Sequence, residues 1–337
     1  MIARAFHAWE RHLASIDRTR AVRPFEWGLD WLDLDASQED PGAGIARWAE
    51  ATVADSHAYY TAPPTTRYEW DGDRLSFPSA IETPHPTNNT VSARYFQGRR
   101  RGSADARRAV VVLPQWNADA HGHMGLCEIF ARFGISSLRL TLPYHEERRP
   151  AELQRAEYIV SPNVGRTLEV NRQAVLDTRR LVDWLVAEGY ERIGIVGTSL
   201  GSCLSMLAMT HDPRIRTGAF NHVSPFFADV VWHGLSTWHV RAGLEEHVSL
   251  ESLRDYWMPI SPWPFLQQIE SRPMLMIYAR YDLTFPVPLS RKIIGEFDRR
   301  GLRPEVKILP CGHYTTGKAP FKFLDGYYLT SFLLKNL

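Results

Sequence analysis

Cysteine is scarce in this chain: three among 337 residues. An odd, sparse set excludes a disulfide framework; Cys203 reads as a small buried apolar residue, and Cys311 as packing or as part of a site. No apolar run approaches the length needed to span a bilayer, and the first residues (Met1-Ile2-Ala3-Arg4-Ala5-Phe6) lack the apolar core of a secretory signal. The expectation is a cytoplasmic protein with no stable membrane insertion. Asn88-Asn89-Thr90 is accordingly not read as a glycosylation site. Charge is nearly balanced, 39 basic against 38 acidic residues, a net of +1. That leaves no electrostatic case for nucleic acid or an anionic surface. The densest basic cluster, Arg99-Arg100-Arg101 with Arg107-Arg108, reads as a solvated loop ahead of a strand. Internal repeats and low-complexity segments are absent.

What is present is an ordinary globular composition, 44% hydrophobic and 23% charged, with ample chain to bury a core. The most informative stretch is Ile193-Gly194-Ile195-Val196-Gly197-Thr198-Ser199-Leu200-Gly201-Ser202. An apolar strand runs into Gly-x-Ser-x-Gly and passes directly into the helix-like segment Leu200–Met209. A turn that sharp places its serine in a strained conformation with the hydroxyl at the top of a sheet. The flanking glycines let neighbouring backbone approach where a Cβ would collide. The amide of Leu200, at the start of the helix, points to where an oxyanion would form. The bare pattern is a weak signal; its strand-to-helix context carries the reading.

Two further residues occupy comparable positions. Pro273–Ala279 is a continuous apolar run of the kind found in buried parallel strands, and it ends in Arg280-Tyr281-Asp282. Val306–Leu309 reads as the next strand, ending in Pro310-Cys311-Gly312-His313. Parallel strands present such ends on one side of the sheet, where open α/β proteins build their sites. Asp298, the rival acid, falls inside a helical pattern. His211 and His222 read as structural or surface residues. Asp119-Ala120-His121-Gly122-His123 contains His-x-His, but no further ligand lies at a matching spacing. The expectation is a loop histidine shaping the pocket or capping the next helix, with no metal.

The order Ser199, Asp282, His313, each after a strand, resembles that of the α/β-hydrolase fold. The resemblance covers about Thr66 to Leu337. It implies Ser199 as nucleophile, His313 as general base and Asp282 as the carboxylate orienting it. It also implies a second oxyanion donor from the loop after the strand Ala109–Leu113. Many relatives have His-Gly there, whereas this chain has Pro114-Gln115; the amide of Trp116 or of Gln115 would serve, with Trp116 favoured.

The fold class expected is α/β: a mostly parallel sheet with helices on both faces, a helical N-terminal extension over residues 1–62 and a body over 63–337. Ile45, Trp48, Ala49, Thr52 and Val53 recur at helical spacing in the extension. A hairpin is expected at Asp71-Gly72-Asp73, then strands and helices alternate: strand 109–113, helix 123–133, strand 135–141, helix 166–188. Two segments interrupt this scheme. Pro143–Gly165 is a long connection near the strand ends. Ala228–Arg272 sits where relatives insert lids, and holds Trp232, Trp238, Trp257 and Trp263, four of the 11 tryptophans. A cap over about 228–272 is expected, with Trp238, Trp257 and Tyr144 lining a substrate pocket.

The chemistry these residues support is acyl transfer through an activated serine, with no cofactor and a small-molecule ester or acyl substrate. Ester cleavage leads; acyl transfer to another alcohol or amide cleavage would use the same residues. From another class, a binding module without catalysis remains, as does a metal-dependent hydrolase on His121 and His123.

Overall fold

A computed structural model describes residues 1–35, 37, 40–99 and 107–337. Arg100 and Arg101 of the basic cluster lie outside the described residues. The chain begins with helices α1 (Ile2–Ile16), α2 (Pro41–Ala54) and α3 (Ser56–Tyr59), followed by strands β1 (Glu69–Asp71), β2 (Arg74–Pro78), β3 (Thr90–Phe96) and β4 (Arg108–Leu113). Then come α4 (Met124–Arg132), β5 (Ser136–Leu140), α5 (Val164–Ala187), β6 (Arg192–Thr198), α6 (Leu200–His211) and β7 (Ile215–Asn221). Three short helices follow, α7 (Phe227–His233), α8 (Trp238–Leu244) and α9 (Leu250–Tyr256). The chain ends with β8 (Met274–Ala279), α10 (Val287–Arg299), β9 (Glu305–Leu309), α11 (His313–Thr316) and α12 (Phe321–Asn336).

The nine strands form one sheet in the order β1-β2-β3-β5-β4-β6-β7-β8-β9. Strands β1, β2 and β3 pair antiparallel with their neighbours, and every pairing from β5 to β9 is parallel. The first hairpin turns at Gly72, whose φ of 61° favours a residue without Cβ.

Both faces of the parallel part are covered, which is why its strands read as unbroken apolar runs. Ala109, Val111, Leu113, Ile193, Ile195, Met274 and Met276 pack under α5, α6 and α10. The alternate residues Val110, Val112, Val196, Leu275 and Ile277 pack under α4 and α12, against Phe130, Leu329 and Phe332. At one end of α5 the Asn163 side chain accepts from Arg166 N (2.8 Å); just beyond the other, Gly189 turns at φ 78°. Asp40 caps α2 in the same way through Ala43 N. Ile45 and Ala49 bury its inner face.

The connection Pro143–Gly165 is fastened rather than free. Arg148 and Asp177 form an ion pair (2.9 Å) with both side chains fully buried, and the guanidinium also donates to Asn88 O and Thr141 O. Glu157 accepts from Arg23. No helix among the described residues is long and apolar enough to cross a membrane.

β6, α6 and the end of β4 pack backbone against backbone. A Cβ on Gly197 would stand 2.0 Å from Gly201 O, and one on Gly201 would stand 2.2 Å from Leu113 O. Gly197→Ala is therefore expected to lower Tm by at least about 5 °C through overpacking against backbone. Gly295→Ala is the matched control: it lies inside α10, where the added Cβ meets nothing within 4 Å beyond its chain neighbours and the helix's own backbone. It should raise stability by up to about 1 kcal/mol. Equal effects of the two in thermal unfolding would contradict this account of the crossing.

Candidate active site

Ser199 sits between β6 and α6 at φ 57°, ψ −119°. A non-glycine residue pays for that conformation only where its surroundings hold it. Here they do: Ser199 N donates to Asn221 O (2.8 Å), Ser202 N donates to Ser199 O (2.9 Å), and the Ser202 hydroxyl bridges Ser199 O and His222 O (both 2.7 Å). The serine faces a cavity of about 780 Å³.

Asp282 follows β8 and is buried. Its Oδ1 accepts from the amides of Thr284 (2.8 Å) and Phe285 (2.7 Å). His313 Nδ1 lies 3.1 Å from Oδ2, at the end of β9 and the start of α11. The phenyl ring of Phe285 stacks on the His313 imidazole at 5.4 Å, 3° from parallel. Backbone bonds tie the two loops together, Arg280 N to Leu309 O and Tyr281 N to Cys311 O (both 2.9 Å). Ser199, His313 and His222 all line the one cavity. Asp298 lies exposed on α10, away from it.

Of the structural or surface place expected for His222 from sequence, the surface is excluded. The residue directly follows β7, its side chain is 1% exposed, and its Nδ1 lies 2.8 Å from the same Asp282 Oδ2. The two imidazole centroids are 4.3 Å apart. One carboxylate oxygen thus receives two imidazole N–H donors while the other receives two amides. Burial works to raise the Asp282 pKa. The charge of His313 and the bonds from His222 and His313 outweigh it and hold the carboxyl far below the usual range. Burial, and then His313, lower the pKa of His222 and keep it neutral. The signal that would have found His222 was available: it lies at a strand end, as Asp282 and His313 do, on the strand beside Ser199.

The amides of Leu200, Gln115 and Trp116 belong to residues on the cavity wall. The next amide, Asn117 N, is engaged by His145 Nε2 (2.9 Å). His123 is half-buried at the wall, with Nε2 2.9 Å from Thr198 Oγ1, and burial with Arg139 nearby pushes its pKa down to about 4. His121 is exposed and borders the same cavity. Among the described residues, one trio of ligand-type atoms converges: His222, Asp282 and His313. Both Nδ1 atoms there face the carboxylate as hydrogen-bond donors, and a cation would have to displace both protons.

The aromatic residues expected in the pocket are elsewhere. Trp257 is fully buried with Nε1 donating to Val164 O (3.2 Å); it anchors α9 to the core. Tyr144 is buried, with its hydroxyl 3.0 Å from His85 Nδ1. Trp238 is 51% exposed and borders no part of the cavity. The stretch 228–272 does reach the site, but through α7 and the turn after it: Val230, Val231, Ser236 and Thr237 line it beside Phe227. Trp116, Phe285 and Leu329 add apolar wall, while Arg20, Arg155 and Asp17 add charge near one side.

A half-buried acid completes the wall. Asp325 on α12 accepts from Asn221 Nδ2 at 2.9 Å through both oxygens, and burial pushes its pKa up to about 7, against the opposing hydrogen bond.

The family model described as "alpha/beta hydrolase domain containing 18" matches residues 126–251, which hold Ser199 but neither Asp282 nor His313. No curated protein matches the sequence. Among solved structures, the chain is similar to an acylaminoacyl peptidase of Pyrococcus horikoshii (TM-score 0.61, 13% identity), covering 80% of this chain and 42% of that one. The chain thus spans less than half the length of that peptidase. It is also similar to an acetyl xylan esterase of Paenibacillus sp. R4 (TM-score 0.59, 15% identity, 90% and 96% covered). Another is acetyl xylan esterase 1 of Thermoanaerobacterium sp. (0.57, 14%, 94% and 96%). The chain has the α/β-hydrolase fold.

The position of Asp325 predicts a pH signature. An acid whose folded pKa is raised from 3.8 to about 7 holds its proton more tightly folded than unfolded. Its contribution is fully favourable below pH 3.8, declines as pH rises and is lost above about 7. Asp325→Asn should therefore gain in Tm over the native protein at pH 8.5 but not at pH 4. A Tm difference that stays flat with pH would refute the assignment.

Proposed function

We propose that the protein is a serine hydrolase that cleaves a carboxylic ester through an acyl-enzyme. One observation carries the reading: a serine held in a strained strand-to-helix turn shares a cavity with an imidazole whose far nitrogen is bonded to a buried carboxylate. Ser199 Oγ attacks the ester carbonyl while His313 Nε2 takes its proton. The oxyanion of the tetrahedral intermediate is met by the amide of Leu200 and by that of Trp116 or Gln115. A preorganised donor of this kind is worth about 3 kcal/mol of barrier. His313 then passes its proton to the departing alkoxide, leaving the acyl group on Ser199. Water, deprotonated by His313, attacks the acyl-enzyme and frees the acid and the serine.

The cavity's apolar lining (Phe227, Val230, Val231, Leu329) suits a short to medium acyl group, and the charged Arg20 and Arg155 that also line it suit a polar leaving group. Ester rather than amide cleavage is favoured by coverage. The esterases match this chain end to end, whereas the peptidase matches over less than half of its own length. The segment 228–272 acts as a cap through α7, packed over the body 63–337.

A fluorophosphonate should label the native protein at one serine, and Ser199→Ala should abolish labelling with Tm retained. Labelling that persists in the variant would sink the nucleophile; a native protein that never labels would favour a binding module. With p-nitrophenyl esters, kcat/KM should rise with acyl length and then fall once the pocket is full. Each buried methylene contributes about 0.8 kcal/mol until then.

His222 gives a separate test. Its donation draws negative charge on Asp282 away from His313. His222→Phe removes that donor from Asp282, so the pH profile of kcat/KM should move. His222→Asn, whose amide nitrogen overlays Nδ1, should restore the native profile. Coincident pH profiles for Phe, Asn and native protein would show that His222 does not act through Asp282.

A further inference from the structure

The helix that opens the chain grips both loops that carry the proposed acid and base. Glu10 of α1 is fully buried, although it carries a carboxyl group and lies just over 300 residues from its partners. Its Oε1 accepts from Thr315 N (2.9 Å) and the Thr315 hydroxyl (2.8 Å), and its Oε2 accepts from Tyr314 N (2.9 Å). These amides immediately follow His313 at the start of α11. The Thr315 hydroxyl in turn accepts from Gly312 N (2.8 Å), on the other side of His313. On the same helix Phe6 stacks face to face on Tyr281, the neighbour of Asp282, at 4.7 Å and 11°. Just past the helix, Arg20 donates to the Tyr314 hydroxyl (2.7 Å) and to Ala14 O (2.8 Å).

We propose that α1 is a clamp on the two loops and that Glu10 is a positioning residue, fixing α11 so that His313 Nδ1 faces Asp282. The proposal rests on the hydrolase reading above. A helix of four residues cannot hold its own orientation, because too few bonds follow the costly first turn. Its cap position is occupied by Gly312, which has no side chain to accept from the exposed amides. Glu10 supplies those acceptors from a different helix. A buried carboxylate demands a full set of donors, so small tilts of α11 are opposed by the cost of unpairing it. Gly312 is fitted to this arrangement: a Cβ there would stand 2.4 Å from Glu10 Cδ. Backbone and carboxylate interlock only if residue 312 is glycine.

A role confined to stability would lower Tm and leave turnover per folded molecule unchanged. The test uses the full chain as native protein, Glu10→Ala, Glu10→Gln and Gly312→Ala. Four quantities are read: Tm, p-nitrophenyl acetate kinetics, fluorophosphonate labelling, and the downfield proton resonance of the His313–Asp282 hydrogen bond. Glu10→Ala is expected to reduce kcat by about 10- to 100-fold, the range that small misplacements of a catalytic group produce, with KM within about threefold. The downfield resonance should shift or vanish. Gly312→Ala should reproduce this by displacing the carboxylate, and Glu10→Gln should fall between native and Glu10→Ala. A folded Glu10→Ala with native kcat and native resonance overturns the proposal. If Glu10→Ala does not fold, native kcat in Glu10→Gln, where a donor replaces one acceptor opposite the amides, overturns it equally. Failure of the hydrolase reading is seen separately, as a native protein that does not label, while the resonance still reports on the clamp.

Discussion

The close approach of three backbone segments governs the site. β6 and α6 meet so tightly that Gly197 lies against Gly201 O, and Gly201 against Leu113 O at the end of β4. No side chain fits in either place. The residue between the two glycines, just past the end of the interior strand β6, is thereby driven to φ 57°, ψ −119°. The strain at Ser199 is held by the bond from its amide to Asn221 O and by the Ser202 hydroxyl, which joins the elbow to the end of β7. Because β7 is itself pinned by His222 N donating to Ile277 O (2.8 Å) at the end of β8, the elbow, His222 and the Asp282 loop form one continuous unit.

Asp282 sits at the centre of that unit. Four donors converge on it, two amides on Oδ1 and two imidazoles on Oδ2. A carboxylate so paired stays ionised well into acid, so its charge is a fixed element of the site rather than a titrating one. The two histidines differ in their access to solvent. His222 is 1% exposed and His313 13%, which leaves His313 as the imidazole better able to exchange protons with substrate and water.

Much of the framework was legible from sequence because it depends on local periodicity. Helix 166–188 and strand 135–141 match α5 and β5 within a few residues, since apolar spacing fixes what lies along each element. Ser199, Asp282 and His313 could be picked out for the same reason: each ends a run whose pattern is visible by itself. The pocket was not legible. Four tryptophans in 45 residues signal apolar area, but the signal does not say whether the rings face a cavity or the core. Trp257 serves the core, and Val230 and Val231 serve the cavity. Nor does any local pattern mark Glu10, whose meaning lies in partners just over 300 residues away.

The extension before the resemblance begins is therefore no appendage. Two buried carboxylates bracket His313, Asp282 on the imidazole and Glu10 on the amides after it. Neither adds much net stability, because the desolvation of a buried charge roughly offsets what its partners return. What each adds is discrimination. A conformation that withdraws a donor from either carboxylate leaves a charge unpaired away from water, at several kcal/mol per ion. Two such penalties from opposite sides restrict the imidazole to one placement, and a four-residue helix gains a rigidity that its own hydrogen bonds could not provide.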